Sequence, residues 1–134
     1  MTNTKKNIGE NTNIAIIAEL IVEEYRFMNS YCAIIGKLFK EEQLRYKSTL
    51  NFHRDKINEF AQKANLGIVE LENNEYDIGL PIKAINLDEY SKEDDLVIEQ
   101  VLEPAIISSI DGTLIRTGLV IIAKKLREQS KANI

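Results

Sequence analysis

The chain has 134 residues, a net charge of −4, 44% hydrophobic and 28% charged residues, and one cysteine. This length fits one domain, or a helical arm with one small domain. The negative balance argues against the basic face that nucleic-acid binding requires, and the lone Cys32 excludes an internal disulfide and fits a reducing, cytoplasmic setting. The first thirteen residues are polar and lack the apolar core of a signal peptide. Residues 1–12 are expected to be disordered, with Asn11, Thr12 or Asn13 capping a helix start. The apolar stretch 14–39 is interrupted by Glu19, Glu23, Glu24, Arg26 and Lys37. A membrane span needs roughly 20 apolar residues in succession, so none is expected.

Residues 13–65 read as a long helix or a helix pair. Ile14, Ile21, Met28 and Ile35 recur every seven positions, with Ile17, Tyr31 and Leu38 three beyond three of them. This is an a/d seam, interrupted at one d position by Glu24. A second register follows in Tyr46, Leu50, His53, Ile57, Phe60 and Ala64. One bent helix would be about 75 Å long at 1.5 Å per residue; two helices broken near Lys40 are the alternative. A lone helix of this kind cannot bury its stripe and needs a partner helix, so the segment reads as a dimerisation element, with a generic helical hairpin or coiled coil as the plain alternative. The lone His53 reads as a partly buried seam residue, with no metal-ligand spacing around it.

Residues 66–125 read as a small β-domain. Gly67 can take the left-handed conformation that ends the helix. Residues 68–71 form a short strand and Asn73-Asn74 a turn. Residues 80–87 alternate as a strand with apolar groups on both faces, either buried on both sides or at an edge where Pro81 is tolerated. The acidic run 88–95 lacks calcium-loop spacing and reads as solvated surface. Strands follow at 96–102, 104–110 and 113–125, with Pro104 as a break and Asp111-Gly112 as a hairpin turn. In the last strand Leu114, Arg116, Gly118, Val120 and Ile122 share one face. The opposite face, Ile115, Thr117, Leu119, Ile121 and Ala123, is almost wholly apolar and is predicted to meet the core. Residues 126–134 read as a flexible tail. The fold class is therefore α+β, a long helical dimerisation segment followed by a small β-rich domain. No phosphate loop, nucleophile elbow or metal-binding helix motif is present, and no cofactor or catalytic residue is assigned.

Residues 63–125 resemble the C-terminal β-domain of GrpE, the nucleotide exchange factor of DnaK-type chaperone ATPases. The resemblance rests on the helix exit Lys63-Ala64-Asn65-Leu66-Gly67-Ile68, on Tyr76-Asp77, on the strand Asp95 to Leu102, and most specifically on the hairpin Asp111 to Lys124. Ile78 stands where the family has proline, and Pro104-Ala105 replaces a Gly-aromatic pair. Residues 13–65 are also shorter than the family's helical region. The resemblance implies a homodimeric co-chaperone of protein folding and the stress response. It would bind a DnaK-type ATPase and promote ADP release by opening its nucleotide cleft, with no enzymatic activity of its own. It also implies partner-facing roles for Tyr76, Leu102, Thr113, Arg116 and Ile122. A non-catalytic coiled-coil adaptor that reuses the β-domain for another protein partner is the alternative.

Overall fold

The computed structural model describes residues 2–126, with side chains from Thr12 onward. Two helices precede six strands. They are α1 (Thr2–Ile35), α2 (Lys40–Lys63), β1 (Leu66–Val69), β2 (Ile82–Ala84), β3 (Leu96–Glu103), β4 (Ala105–Ser108), β5 (Leu114–Arg116) and β6 (Gly118–Lys124). The α+β class expected from the sequence is present. Helix α1 starts at Thr2 rather than at the cap expected near residue 12. The expected tail from 127 on lies outside the described residues.

The helical segment is two helices. Gly36, the one weak helix former in this stretch, opens the break, and Phe39 takes an extended conformation before α2. Gln43 then donates its side-chain amide to the Leu38 carbonyl at 2.7 Å, which occupies an acceptor left free where the chain turns. Glu41 and Glu42 in the first turn and Lys63 in the last turn suit the helix dipole. At the far end Asn65, not Gly67, takes the left-handed conformation, with φ 60°. Asn tolerates this region through local hydrogen bonding, which leaves Gly67 free to enter β1.

The strands form two three-stranded sheets. An inner sheet has the order β1-β4-β5, antiparallel throughout. An outer sheet has the order β2-β6-β3, with β2 parallel and β3 antiparallel to β6. The chain passes from outer to inner sheet at Pro104 and back at Thr117, so β3 and β4 are one bent run and β5 and β6 another. The Asp111-Gly112 hairpin joins β4 to β5. Gly112 has φ 74°, and the Thr113 carbonyl accepts from the Ser108 N–H at 2.8 Å. Asn86 extends the outer sheet with its side chain, donating to the Ile122 carbonyl at 2.8 Å and accepting from the Ile122 N–H at 3.0 Å.

Each sheet has its own core. The inner sheet packs on the helices through Leu66 and Ile106, which join Ala18, Ile21, Val22, Tyr25, Met28, Ile35, Leu50 and Ala61. The outer sheet encloses Ala84, Leu96, Ile98, Val101, Val120 and Ile122 beneath Leu71, Tyr76, Leu80 and Tyr90. The face of β6 that meets the core is thus the one bearing Gly118, Val120 and Ile122, opposite to the face expected; Leu119, Ile121 and Ala123 are only half-buried. The apolar content of the two faces is nearly equal. Parity alone could not choose between them, and the bend at Thr117 decided it.

The two bent runs cross at Gly118. A Cβ there would stand 2.8 Å from the Ala105 nitrogen and 2.9 Å from the Glu103 carbonyl oxygen, both rigid backbone atoms. Gly118→Ala is expected to lower stability by roughly 1–3 kcal/mol, as overpacking does. Gly112→Ala meets no neighbour and is expected to lose only about 1 kcal/mol through its positive φ. Urea unfolding midpoints of the two variants check the order.

Candidate functional site

A buried carboxylate marks the corner where the two sheets and α1 meet. Glu103, the last residue of β3, is 3% exposed. A carboxylate so far from water requires partners for both oxygens. One oxygen accepts from Arg26 on α1, at 2.8 Å from Nε and in a further contact with Nη2. The other accepts from Arg116 Nη2 on β5 at 2.9 Å. Each arginine also holds an exposed glutamate of α1, Arg26 with Glu23 at 3.0 Å and Arg116 with Glu19. The result is a five-residue chain of alternating charge. The Glu103 hydrogen bond, then its charge and that of Glu23, hold the Arg26 guanidinium above its usual pKa. Beside this corner Asn29 donates to the Val101 and Leu102 carbonyls, at 3.3 and 3.2 Å.

The structure places the five residues implied as partner-facing in different surroundings. Arg116 is engaged inside the chain rather than offered to solvent. Ile122 is 1% exposed and belongs to the outer core, because its face of β6 turns inward. Leu102 is half-buried beside the corner, and Thr113 is exposed on the hairpin of the inner sheet. Tyr76 is half-buried on the outer sheet. There it borders Ile78, Leu87 and Tyr90 around a groove of about 480 Å³, and Ile82 and Ile85 around a neighbouring one of about 500 Å³. Ile78 is 80% exposed, with Ile85 and Leu87 also exposed. The five residues therefore do not converge, and one of them, Tyr76, lies in an apolar surface patch. Sequence reasoning missed Ile78 and Glu103. A carboxylate directly before Pro104 and a lone guanidinium at Arg116 in β5 were the available signal.

The heptad seam is also redirected. Ile21, Met28 and Ile35 are buried, and Ile14, Ile17 and Tyr31 pack partly buried, all against α2 and the inner sheet of the same chain. Leu38 is half-buried in the turn. As placed, the three buried seam residues are not available to a second chain. The remaining apolar surface of α1 is another stripe, Ile16, Leu20, Phe27 and Ile34, spaced 4, 7 and 7 and exposed. Phe27 stacks on Tyr31 with ring centroids 6.5 Å apart. With Met28, Thr49, Leu50 and His53 these rings border a groove of about 240 Å³. His53, expected to be partly buried, is exposed on α2 and pairs with Glu24 of α1 at 2.7 Å, so the polar interruption of the seam meets the lone histidine.

Tyr25 of α1, 2% exposed, lies near Arg54 and Asn58 of α2 and Glu70, and its hydroxyl has no hydrogen-bond partner of good geometry. Burial, then the charge of Glu70, pushes its pKa to about 12. Burial also raises the Glu70 carboxyl, opposed by the Arg54 charge. Among the described residues, no group of three or more His, Cys, Asp or Glu could hold a metal ion, and no helix is long and apolar enough to cross a membrane.

A phenol whose pKa is higher in the folded than in the unfolded state contributes stability that is full below the unfolded value of 10.0 and is lost as pH rises through about 12. Tyr25→Phe keeps the ring and removes this titration. Its melting temperature is expected to fall less steeply than that of the parent across this range. Near neutral pH the change is expected to stay within about 1 kcal/mol, since no well-formed hydrogen bond is lost. Calorimetry at stepped pH on both proteins measures the difference. In comparisons with known proteins, no family model, no curated protein and no solved structure matches this chain.

Proposed function

We propose that the chain is a GrpE-like co-chaperone, a cytoplasmic homodimer that binds a DnaK-type chaperone ATPase and promotes ADP release. The observation that carries this reading is the outer sheet. It stands on its own core beside the helical hairpin and exposes an apolar patch at Tyr76, Ile78, Ile85 and Leu87. Exposed apolar residues grouped in this way are typical of a protein-binding surface. No chemistry by the chain itself is required. A partner that binds the open form of a nucleotide cleft lowers nucleotide affinity by the factor by which nucleotide weakens that partner's binding.

The second stripe of α1 supports the homodimer. Ile16, Leu20, Phe27 and Ile34 face away from the chain's own core, and pairing two hairpins through them would form a four-helix arrangement. In this reading the dimer rests on these residues rather than on the heptad seam. The alternative, a non-catalytic adaptor for another protein partner, draws on the internal engagement of Arg116 and the burial of Ile122.

Release of a fluorescent ADP analogue from a DnaK-type ATPase of the same source tests the exchange reading. The chain is expected to accelerate release. Ile78→Asp is expected to weaken that effect by about tenfold or more, as loss of an interface anchor does. No acceleration by the unmodified chain would leave the adaptor reading. Light scattering is expected to report twice the chain mass, and Phe27→Glu is expected to shift the population toward monomer.

A further inference from the structure

We propose that the outer sheet is a separately orientable unit, and that Glu103 is the latch that fixes its angle to the helical hairpin. The proposal rests on the geometry of the corner and does not depend on the chaperone reading. The two sheets have separate cores, and the bent strand runs cross from one sheet to the other at two neighbouring points, Pro104 and Thr117-Gly118. With the link that leaves β1, whose Asn73 N–H donates to the Ile98 carbonyl of β3 at 2.8 Å, these two neighbouring crossings form the line about which a small sheet can swing where side chains do not hold it. The holding contacts from α1 are the Arg26–Glu103 bonds and the Asn29 amide on the Val101 and Leu102 carbonyls.

The two arginines have different parts in the latch. Arg116 belongs to the inner sheet, and its side chain is 26% exposed, with its Nε buried; it ties Glu103 to that sheet. Arg26 reaches from α1 with its side chain 52% exposed, so the α1 side of the grip is the one water can enter. Opening that side leaves Glu103 bonded to Arg116 and only the longer Asn29 contacts, at 3.3 and 3.2 Å, between α1 and the outer sheet, so the sheet gains freedom to pivot about the corner. Charge-assisted bonds suit a latch because they depend strongly on distance and direction, and so favour one angle over its neighbours.

Electron–electron distance measurements on spin-labelled protein test this. Exposed Cys32 is first replaced by serine. One label is placed at Ser30 on α1 and a second either at Lys83 on the outer sheet or at Ser109 beside the inner sheet, all exposed positions. Labelled chain is diluted with unlabelled chain so that only distances within one chain are read. Glu103→Gln is expected to broaden the 30–83 distribution about twofold, as a freed hinge would, while the 30–109 distribution stays narrow. Arg26→Gln, which leaves Arg116 on Glu103, is expected to broaden the 30–83 pair alone, and by less. An unchanged 30–83 distribution in Glu103→Gln would overturn the proposal. Equal broadening of both pairs would overturn it as well, since Glu103 would then support the whole fold rather than one angle.

Discussion

Glu103 places a carboxylate where three elements meet and water is excluded, and the corner is built around that constraint. Removing a carboxylate from water costs several kcal/mol unless its oxygens are hydrogen-bonded and a positive charge stands close. Arg26 and Arg116 meet both conditions from opposite sides, one from α1 and one from β5. Each arginine then has charge to spare, which Glu23 and Glu19 take up at the surface. An apolar residue at 103 could fill the same space, and buried ion pairs are often no more stable than such replacements. Direction is what the charged version adds. An apolar contact tolerates rotation, whereas two guanidinium groups on one carboxylate do not.

That direction matters because both bent runs change sheets at this corner. Pro104 lacks an N–H and so cannot continue the ladder through the bend. Gly118 sits so close to the crossing strand that a side chain would press on its backbone. The two residues let β3–β4 and β5–β6 pass between sheets, and the side chains of the corner then fix the angle that the backbone allows. Stability and orientation are separable here. The two apolar cores hold each sheet together, and the charge network relates them.

Much of this was legible in the sequence, for identifiable reasons. The Asp111-Gly112 hairpin is a local event whose φ requirement selects its residues, and it forms as expected. The helical period over 14–35 is also local, and Ile21, Met28 and Ile35 are indeed buried. Which surface buries them is a matter of tertiary structure, and here α2, β1 and β4 of the same chain fill that place. The face of β6 differs from the expectation because both faces are apolar and the choice depends on the bend at Thr117, directly before the strand. Asn65 took the helix-ending role expected of Gly67, since Asn accepts the same backbone region and lies closer to the last helical turn. The Glu103–Arg26 contact spans 77 residues, and no periodicity or spacing rule reaches that far.

Helix α1 carries apolar residues on more than one face. A helix that packs on one side of a small protein needs a single stripe, with polar residues opposite. Here Ala18, Ile21, Val22, Tyr25, Met28 and Ile35 serve the chain's own core. Ile16, Leu20, Phe27 and Ile34 remain outside it in a line too regular for scattered surface residues. The outer sheet repeats the pattern, with one face closed over its core and Ile78, Ile85 and Leu87 left open beyond it. A chain with an apolar surface on the helices and another on a sheet held at a set angle can bridge two bodies. The charge network then fixes how one is presented to the other.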